Sequence, residues 1–450
     1  MERQRRLGDF TVSTMKFHGR EGWGTQVAEE DILSDELVRR LIGVGQVDIL
    51  IGIHTHNHVH TIGPVLEVVR NGLLHYFPRQ RVAILNADGG STDGTPELVQ
   101  AASISDTKPA SGRYALRTLH SVSTCYEGSP SNRTALRTIV AAAELLNAKA
   151  CAVISPDSTE MTADWIGKLL VPVYRDDNDL VSPVYQRHRF EGTLVTNLIY
   201  PLTRAIYGKP LREPRPHEFC FSYRFASRLL ADDLWNSEAS HVGPEVCITL
   251  AALAGNLRLF QTFLGPIGRP EQQSTDLVAA LRQTMTPLFW SMDRNFTLWS
   301  AIRHSEPMLG SGPEYRLTDA AVQVDTARLR QTFSSGVVDL QPVLQHILAP
   351  ETLGMLLSVA TEDDHSFCFP DELWVKLIYE FARSYHLSTI SRDHIIQALA
   401  PLFRGRAYMF LTENAIADEA EMESHVERLC LTFERCKPYL LKLWAATEGG

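Results

Sequence analysis

"RVAILNADGGSTDGTPELVQ", residues Arg81 to Gln100, decides the fold. An apolar run gives way to two adjacent glycines among hydroxyl and carboxyl side chains, and then to a segment with helical apolar spacing. A run such as Val82–Leu85 reads as a strand buried on both faces, the kind found in parallel sheets covered by helices. Gly89 and Gly90 let the backbone turn sharply and approach a ligand. Asp88 supplies an acceptor at the strand tip, and Ser91 and Thr92 supply hydroxyls. Strand, glycine turn and helix in that order form the first half of a βαβ unit.

Outward from this stretch the same rhythm repeats. "VDILIGI" (47–53), "ACAVISPD" (150–157) and "DLVSPVY" (179–185) are further short apolar strands. Helical patterns in "TIGPVLEVVRNGLLHYF" (61–77), "TPELVQAAS" (95–103) and "RTALRTIVAAAELLNA" (133–148) separate the first three strands. This predicts a mostly parallel sheet, whose ligands gather at the C-terminal strand ends. Ahead of it, "EEDILSDELVRRLIGVG" (29–45) places Ile32, Leu33, Leu37, Leu41 and Ile42 at helical spacing. Beyond about residue 272 strand signals fade. In "PDELWVKLIYEFARSYH" (370–386), Leu373, Trp374, Leu377, Ile378 and Phe381 line one helical face behind Pro370 and Asp371. "DEAEMESHVERLCLTFERCKPYLLKLW" (418–444) reads as a closing helix. The expected organisation is an N-terminal extension (1–45), an α/β domain (46–271) and an all-helical domain (272–450).

Composition narrows the function. Hydrophobic residues at 44% and charged residues at 21% suit a soluble globular protein. A net charge of -10 argues against a general nucleic-acid-binding surface, so any anionic ligand must be held locally. No apolar run is long enough for a membrane span, and "MERQRRLGDF" lacks the apolar stretch of a signal peptide, so a cytoplasmic location is expected. Seven scattered cysteines, never in a CxxC pair, read as reduced and mostly buried thiols.

Two strand ends carry further chemistry. In "IGIHTHNHVHTIG" (51–63), His54, His56, His58 and His60 would share one face of a continuing strand and chelate a metal. Asn57 and Thr61 signal a turn and a helix cap instead, favouring a polar loop in which Thr55 and Asn57 face the ligand. "ACAVISPD" delivers a single carboxylate, Asp157, to a position where cation and phosphate sites commonly use two.

"DGGSTDGT" (88–95) after such a strand resembles the nucleotide-binding turn of family 2 and related GT-A glycosyltransferases. The resemblance continues through "YQRHRFEGTLVTNLIYPLTRAIYG" (185–208), "EVCITLAALAGNLRLFQTFLGP" (245–266), "FPDELWVKLIYEFARSYH" (369–386), "LAPLFRGRAYMFLTEN" (399–414) and "FERCKPYL" (433–440). These stretches are similar to bacterial retaining enzymes of the mannosylglycerate synthase and glucosyl-3-phosphoglycerate synthase kind. The resemblance implies a GT-A (nucleotide-diphospho-sugar transferase) domain followed by a helical C-terminal domain. It also implies transfer of a hexose from a UDP- or GDP-sugar to a small acidic, glycerate-like acceptor with retention, by a front-face mechanism that needs no covalent nucleophile. Charge developing on the departing diphosphate must be stabilised, by Mg2+ or Mn2+ or by fixed cations and donors.

Residue by residue, Asp88 matches the acid that contacts the base, with Gly89, Gly90 and Ser91 in its turn. Asp157 matches the second acid of the DxD pair and is the candidate metal ligand. Glu218 matches the acid of the acceptor loop and is, with Arg269, the catalytic candidate that the resemblance implies. Arg187, His188 and Thr193 lie in the segment that shapes the acceptor pocket, where a guanidinium suits a carboxylate. Glu245 matches an acid that starts a helix near the sheet. Several positions depart from the family. Ser155 replaces the first acid of DxD, and Asn132, followed by Arg133, replaces a lysine. Pro216 and His217 replace a glycine pair, while Gly268 and Arg269 stand near the place of a metal-binding histidine. Two readings follow. An active transferase would hold its metal through Asp157 alone or neutralise the diphosphate without metal through Arg269 or Arg133. A catalytically silent nucleotide-sugar-binding or partner-binding protein would keep only the fold and the glycine turn. Apolar faces of the helical region would serve either homodimerisation or internal packing.

Overall fold

The computed structural model describes residues 32–101, 118–126, 129–188, 191–267, 276–311, 317–318, 324–364 and 366–445. Helix α1 (Asp35–Val44) comes first, with Ser34 as its N-cap accepting from the Leu37 amide. Its inward face is Leu37, Leu41 and Val44, spaced i, i+4, i+7. Ile42, expected on that face, is 65% exposed.

Strands β1 (Ile49–Thr55), β2 (Arg81–Asp88), β3 (Thr118–Cys125) and β4 (Ala150–Ile154) are mutually parallel neighbours. Helices α2 (Val59–Tyr76), α3 (Thr95–Ala101) and α4 (Asn132–Leu145) lie between them in the chain. Then come α5 (Ala163–Tyr174), β5 (Leu180–His188), a π-helical turn (Val195–Ile199) and α6 (Tyr200–Tyr207). Strand β6 (Phe219–Ser222) precedes α7 (Tyr223–Ala231), α8 (Glu238–Val242) and α9 (Pro244–Ala254), and β7 (Leu259–Pro266) follows. The strand order is β3-β2-β1-β4-β6-β5-β7-β8, where β8 is Leu309–Ser311; a two-residue β9 (Leu317–Thr318) pairs with the end of β5. Among these pairings only those of β6, with β4 and β5, are antiparallel. The α/β class with a mostly parallel sheet and a helical C-terminal region is therefore as expected.

Alternation along the central strands explains why they read as unbroken apolar runs. Ile49, Ile51 and Ile53 of β1 enter one core with Val82 and Ile84 of β2, against Ile62, Val65 and Val69 of α2 and Trp165 and Leu169 of α5. Leu50, Ala83 and Leu85 enter the other core, with Leu136, Ile139 and Val140 of α4. Strands β3, β6 and β7 carry no such runs: "TLHSVSTC" alternates with polar residues at one end of the sheet, and β6 is only four residues long.

Helices α10 (Leu277–Arg294), α11 (Phe296–Ala301), α12 (Thr326–Asp339), α13 (Gln341–Ile347), α14 (Pro350–Thr361), α15 (Asp371–Leu387), α16 (Arg392–Glu413) and α17 (Glu419–Ala445) complete the chain. Leu373, Trp374, Leu377, Ile378 and Phe381 are buried as expected, but so are Val375, Tyr379, Glu380 and Ala382, which makes α15 a central rather than a surface helix. One hydrophobic core runs from Leu37 through the sheet to Trp444, and Leu33–Gly450 forms a single compact unit. Polar clasps reinforce it. Arg204 of α6 makes a forked contact with Glu427 of α17, at 2.5 and 2.8 Å, and a 2.8 Å bond to Glu434. Lys437 Nζ donates to the carbonyls of Ala205 (2.7 Å) and Ile302 (2.8 Å), the former at the end of α6. Among the described residues no helix is long and apolar enough to cross a membrane. Cys151, Cys220, Cys247 and Cys430 are buried thiols, Cys436 is half-buried, and Cys125 and Cys368 are exposed.

Candidate functional site

The topology fixes one edge of the sheet. The C-terminal ends of β1, β2, β3, β4, β5 and β7 emerge there, together with the N-terminal end of the reversed β6. Chain order reverses between β1 and β4, since β2 and β3 lie to one side of β1 and β4 to the other. Open α/β sheets bind their ligands in the crevice at such a switch point. The loops flanking it are His56–His58, after β1, and Ser155–Ser158, after β4.

The glycine turn is built around Asp88. Its carboxylate, 2% exposed, accepts the Gly90 amide (2.9 Å), the Ser91 amide (2.7 Å) and the Ser91 hydroxyl (2.6 Å). Thr55 Oγ1 lies 2.7 Å from Asp88 and 2.8 Å from Asn86 Oδ1. Four donors thus converge on a carboxylate with about four lone-pair directions. Asp88, matched to a base contact, here holds the turn together. Gly90 takes φ +85°, a region glycine enters without strain, and a Cβ on Gly89 would stand 2.9 Å from the Tyr126 hydroxyl.

Asn57 joins this turn to the end of β1. It adopts φ +60°, donates its amide to Ser91 Oγ (2.8 Å), and accepts the Thr92 amide on Oδ1 (3.0 Å). The β-strand ends at Thr55 and α2 begins at Val59, so the four histidines do not continue at period two along a strand. His58 rather than Thr61 is the N-cap of α2, and it makes no side-chain capping bond. Asp93 serves the helix instead. Its carboxylate accepts the Val59 amide (3.0 Å) and the Thr95 hydroxyl (2.6 Å), and the latter bond above all holds its carboxyl down to about 2.

Asp157 faces these groups across the crevice. Oδ1 accepts the Thr61 hydroxyl (3.2 Å), and Oδ2 lies 3.5 Å from His58 Nε2. His58 Nδ1 accepts the His56 amide at 2.9 Å, which leaves the neutral ring's proton on Nε2, toward Asp157. Asp157 is about half exposed. Ser155 is buried, and its hydroxyl lies 3.4 Å from the Asp157 amide. Among the described residues no group of three or more His, Cys, Asp or Glu forms a metal cage. With one carboxylate already facing two donor groups, the described residues do not fit a resident, protein-caged metal.

Glu218 is 1% exposed and accepts from the Ser158 and Tyr185 hydroxyls, which engages both of its oxygens. Burial, and then Glu218, push the Tyr185 phenol well above its usual range, so it acts as a donor. Glu218 thus lies beneath the floor of the site. Arg187 pairs with Glu213 at 2.5 Å, both side chains largely buried. Tyr185, Arg187, Thr196, Tyr200, Arg212 and Glu213 line a cavity of about 30 Å3, room for roughly two waters. Thr193 lies beside it, and its carbonyl accepts from Asn197. His217 is half-buried in the loop before β6; the His188 backbone pairs with Thr318, while its side chain lies outside the described residues.

Asn132, at the start of α4, donates to Glu245 at 2.8 Å, so two positions matched separately meet at the N-termini of α4 and α9. Arg133 donates through Nε to the Trp235 carbonyl (2.7 Å). Gly268 and Arg269 lie outside the described residues. The sequence reading missed Asp93, Ser158, Tyr185 and Glu213. Asp93 had a local signal, since Asp-Gly-Thr before a helix is a capping pattern. The others act through partners distant in sequence.

No protein-family model matches the chain, and no curated protein matches it. Among solved structures, the chain is similar to glucosyl-3-phosphoglycerate synthase from Mycobacterium tuberculosis. Its complex with Mn2+, uridine diphosphate and glucosyl-3-phosphoglycerate gives a TM-score of 0.39 and 19% identity over 60% of this chain and 86% of that one. Its complex with phosphoglyceric acid gives 0.38 and 18% over 59% and 86%. A likeness of that extent assigns no activity to this chain.

Proposed function

We propose that the chain is a glycosyltransferase that moves a hexose from a UDP- or GDP-sugar to a small hydroxy acid of the glycerate type, with retention. The observation that carries this reading is the switch-point crevice. The glycine turn enters it from β2, the half-exposed Asp157 from β4, and the Arg187 cavity opens along the same edge from β5. A nucleotide lies along the turn at Gly89–Ser91, the diphosphate near Thr61 and Asn132, and the acceptor near Arg187, Thr193 and His217. Departure of the diphosphate then relies on donors and cations positioned by the fold.

The second reading is a silent nucleotide-sugar-binding protein. It is favoured by the bonds that Asp88, Glu218, Arg133 and Arg187 already make inside the fold, and by a cavity of only about 30 Å3. One experiment separates the two. The purified chain is incubated with UDP- and GDP-hexoses and with glycerate, phosphoglycerate and related acids, with and without chelator, and the product's anomeric configuration is read by NMR. Turnover with retention supports the transferase, and its survival in chelator excludes a required metal. Nucleotide-sugar binding without turnover of any acid overturns the transferase in favour of the silent reading.

A further inference from the structure

The π-helical turn Val195–Ile199 forms part of the cavity wall, and its shape is fixed from the far side by the helical region. Asn197, fully buried, is the junction. Toward the cavity its Nδ2 donates to the Thr193 carbonyl (3.2 Å) and to Thr196 Oγ1 (3.3 Å), and that hydroxyl donates on to the Gly192 carbonyl (3.1 Å). Gly192, Val195 and Thr196 all face the cavity. Away from it, Asn197 Oδ1 accepts from Arg406 Nε of α16 (3.0 Å), and its main-chain carbonyl accepts the indole N–H of Trp374 in α15 (2.8 Å). Arg406 is itself held by Asp371 at 2.7 Å, and Asp371 by Arg428 of α17 at 3.0 Å. Helices α16 and α15 therefore meet Asn197 directly, at its side chain and its main-chain carbonyl, and α17 braces Arg406 through Asp371, while the Asn197 side-chain amide nitrogen holds the wall. A π-turn leaves main-chain groups off the regular ladder, and such turns persist where outside partners satisfy those groups.

We infer that Asn197 is a positioning residue through which the helical region sets the shape of the Gly192–Thr196 wall, and hence which hydroxy acid can seat one end against it. The inference rests on the transferase reading for its substrate class, but not for its geometry. Asn197→Asp separates the two sides of the junction: an oxygen stays in place for Arg406, while donation to Thr193 and Thr196 is lost. Trp374→Phe removes one donor from the opposite side and serves if Asn197→Asp folds poorly.

The full-length variants are assayed for acceptor KM and kcat, for donor affinity by calorimetry with UDP- and GDP-hexoses, and for amide exchange. The loss of a buried bond to the wall predicts an acceptor KM raised about tenfold with kcat and donor affinity within about twofold. Exchange at Val195–Ile199 quickens while the β1 and β2 amides stay protected. An unchanged KM with unchanged exchange overturns the inference. So does a uniform loss of donor affinity, kcat and protection, which would mark a structural role only. If the parent chain turns over no acid, the transferase reading fails by itself, and the exchange pattern alone decides whether Asn197 holds the wall.

Discussion

Replacing Asp88 tests whether its carboxylate works inward on the turn or outward on a ligand. In Asp88→Ala the Gly90 and Ser91 amides lose their acceptor at 2.9 and 2.7 Å, and the Ser91 and Thr55 hydroxyls lose theirs. Thr55 can re-pair with Asn86 Oδ1, 2.8 Å away. The two amides have no such recourse within the turn. At about 1–3 kcal/mol for each unsatisfied, partly buried donor, Asp88→Ala costs roughly 3–4 kcal/mol. That is a large part of the roughly 5–15 kcal/mol by which ordinary domains are stable. Asp88→Asn keeps one oxygen for both amides and lets the two hydroxyls turn to accept from the new NH2, so it costs only about 1 kcal/mol. The assay is urea denaturation of both variants, paired with calorimetric titration of UDP and GDP. The reasoning is refuted if both variants are as stable as the parent yet both lose nucleotide binding. Such a result would mean that the carboxylate reaches a base directly and that the turn stands without it.

Two further substitutions probe the same architecture. Gly89→Ala places a Cβ 2.9 Å from the Tyr126 hydroxyl and 3.1 Å from Pro130, so those two side chains must shift. Nucleotide affinity is expected to fall about tenfold with a stability loss near 1 kcal/mol, checked by calorimetry and denaturation. Asp371→Asn strips the buried Arg406 of its carboxylate and is expected to cost about 3 kcal/mol in urea. Burial raises the Asp371 carboxyl, but Arg406 and Arg428 outweigh it and hold it below the ordinary value. A carboxyl depressed in the folded state adds stability above its unfolded value near 4, and that stability is lost as pH falls through the folded value. Stability measured from about pH 5 downward should therefore fall less steeply in Asp371→Asn than in the parent; equal slopes would remove Asp371 from the acid response.

The parallel sheet was legible where burial on both faces made strands into apolar runs, as in β1, β2 and β4. It was not legible in β3, whose alternation is polar, or in β6, whose four residues are too few to show a period. At the site, sequence placed Asp88 and Asp157 at strand tips, the resemblance set Arg187 in the acceptor segment, and the topology brings all three to one edge. Their roles were not readable locally. A carboxylate quoted from a motif looks the same whether it faces solvent, as Asp157 does, or is enclosed by donors, as Glu218 is. Single-residue positions such as Arg133 were misleading because a guanidinium suits a phosphate and a backbone carbonyl equally well; the Trp235 carbonyl that takes it lies 102 residues away.

What the sequence by itself determined is therefore the layer architecture: apolar runs that must be covered on both faces, a glycine turn at a strand end, and amphipathic helices beyond residue 272. Those properties depend on spacing within a few residues, and spacing is written in the chain. What only the tertiary structure decided is the direction in which each polar side chain spends its hydrogen bonds. Arg187 with Glu213, Asp157 with His58, and Asn197 with Arg406 are partners 26, 99 and 209 positions apart in a single chain. A buried polar group is stabilised only by the partner the fold brings to it, and that partner is fixed by packing across the whole unit rather than by its neighbours in sequence.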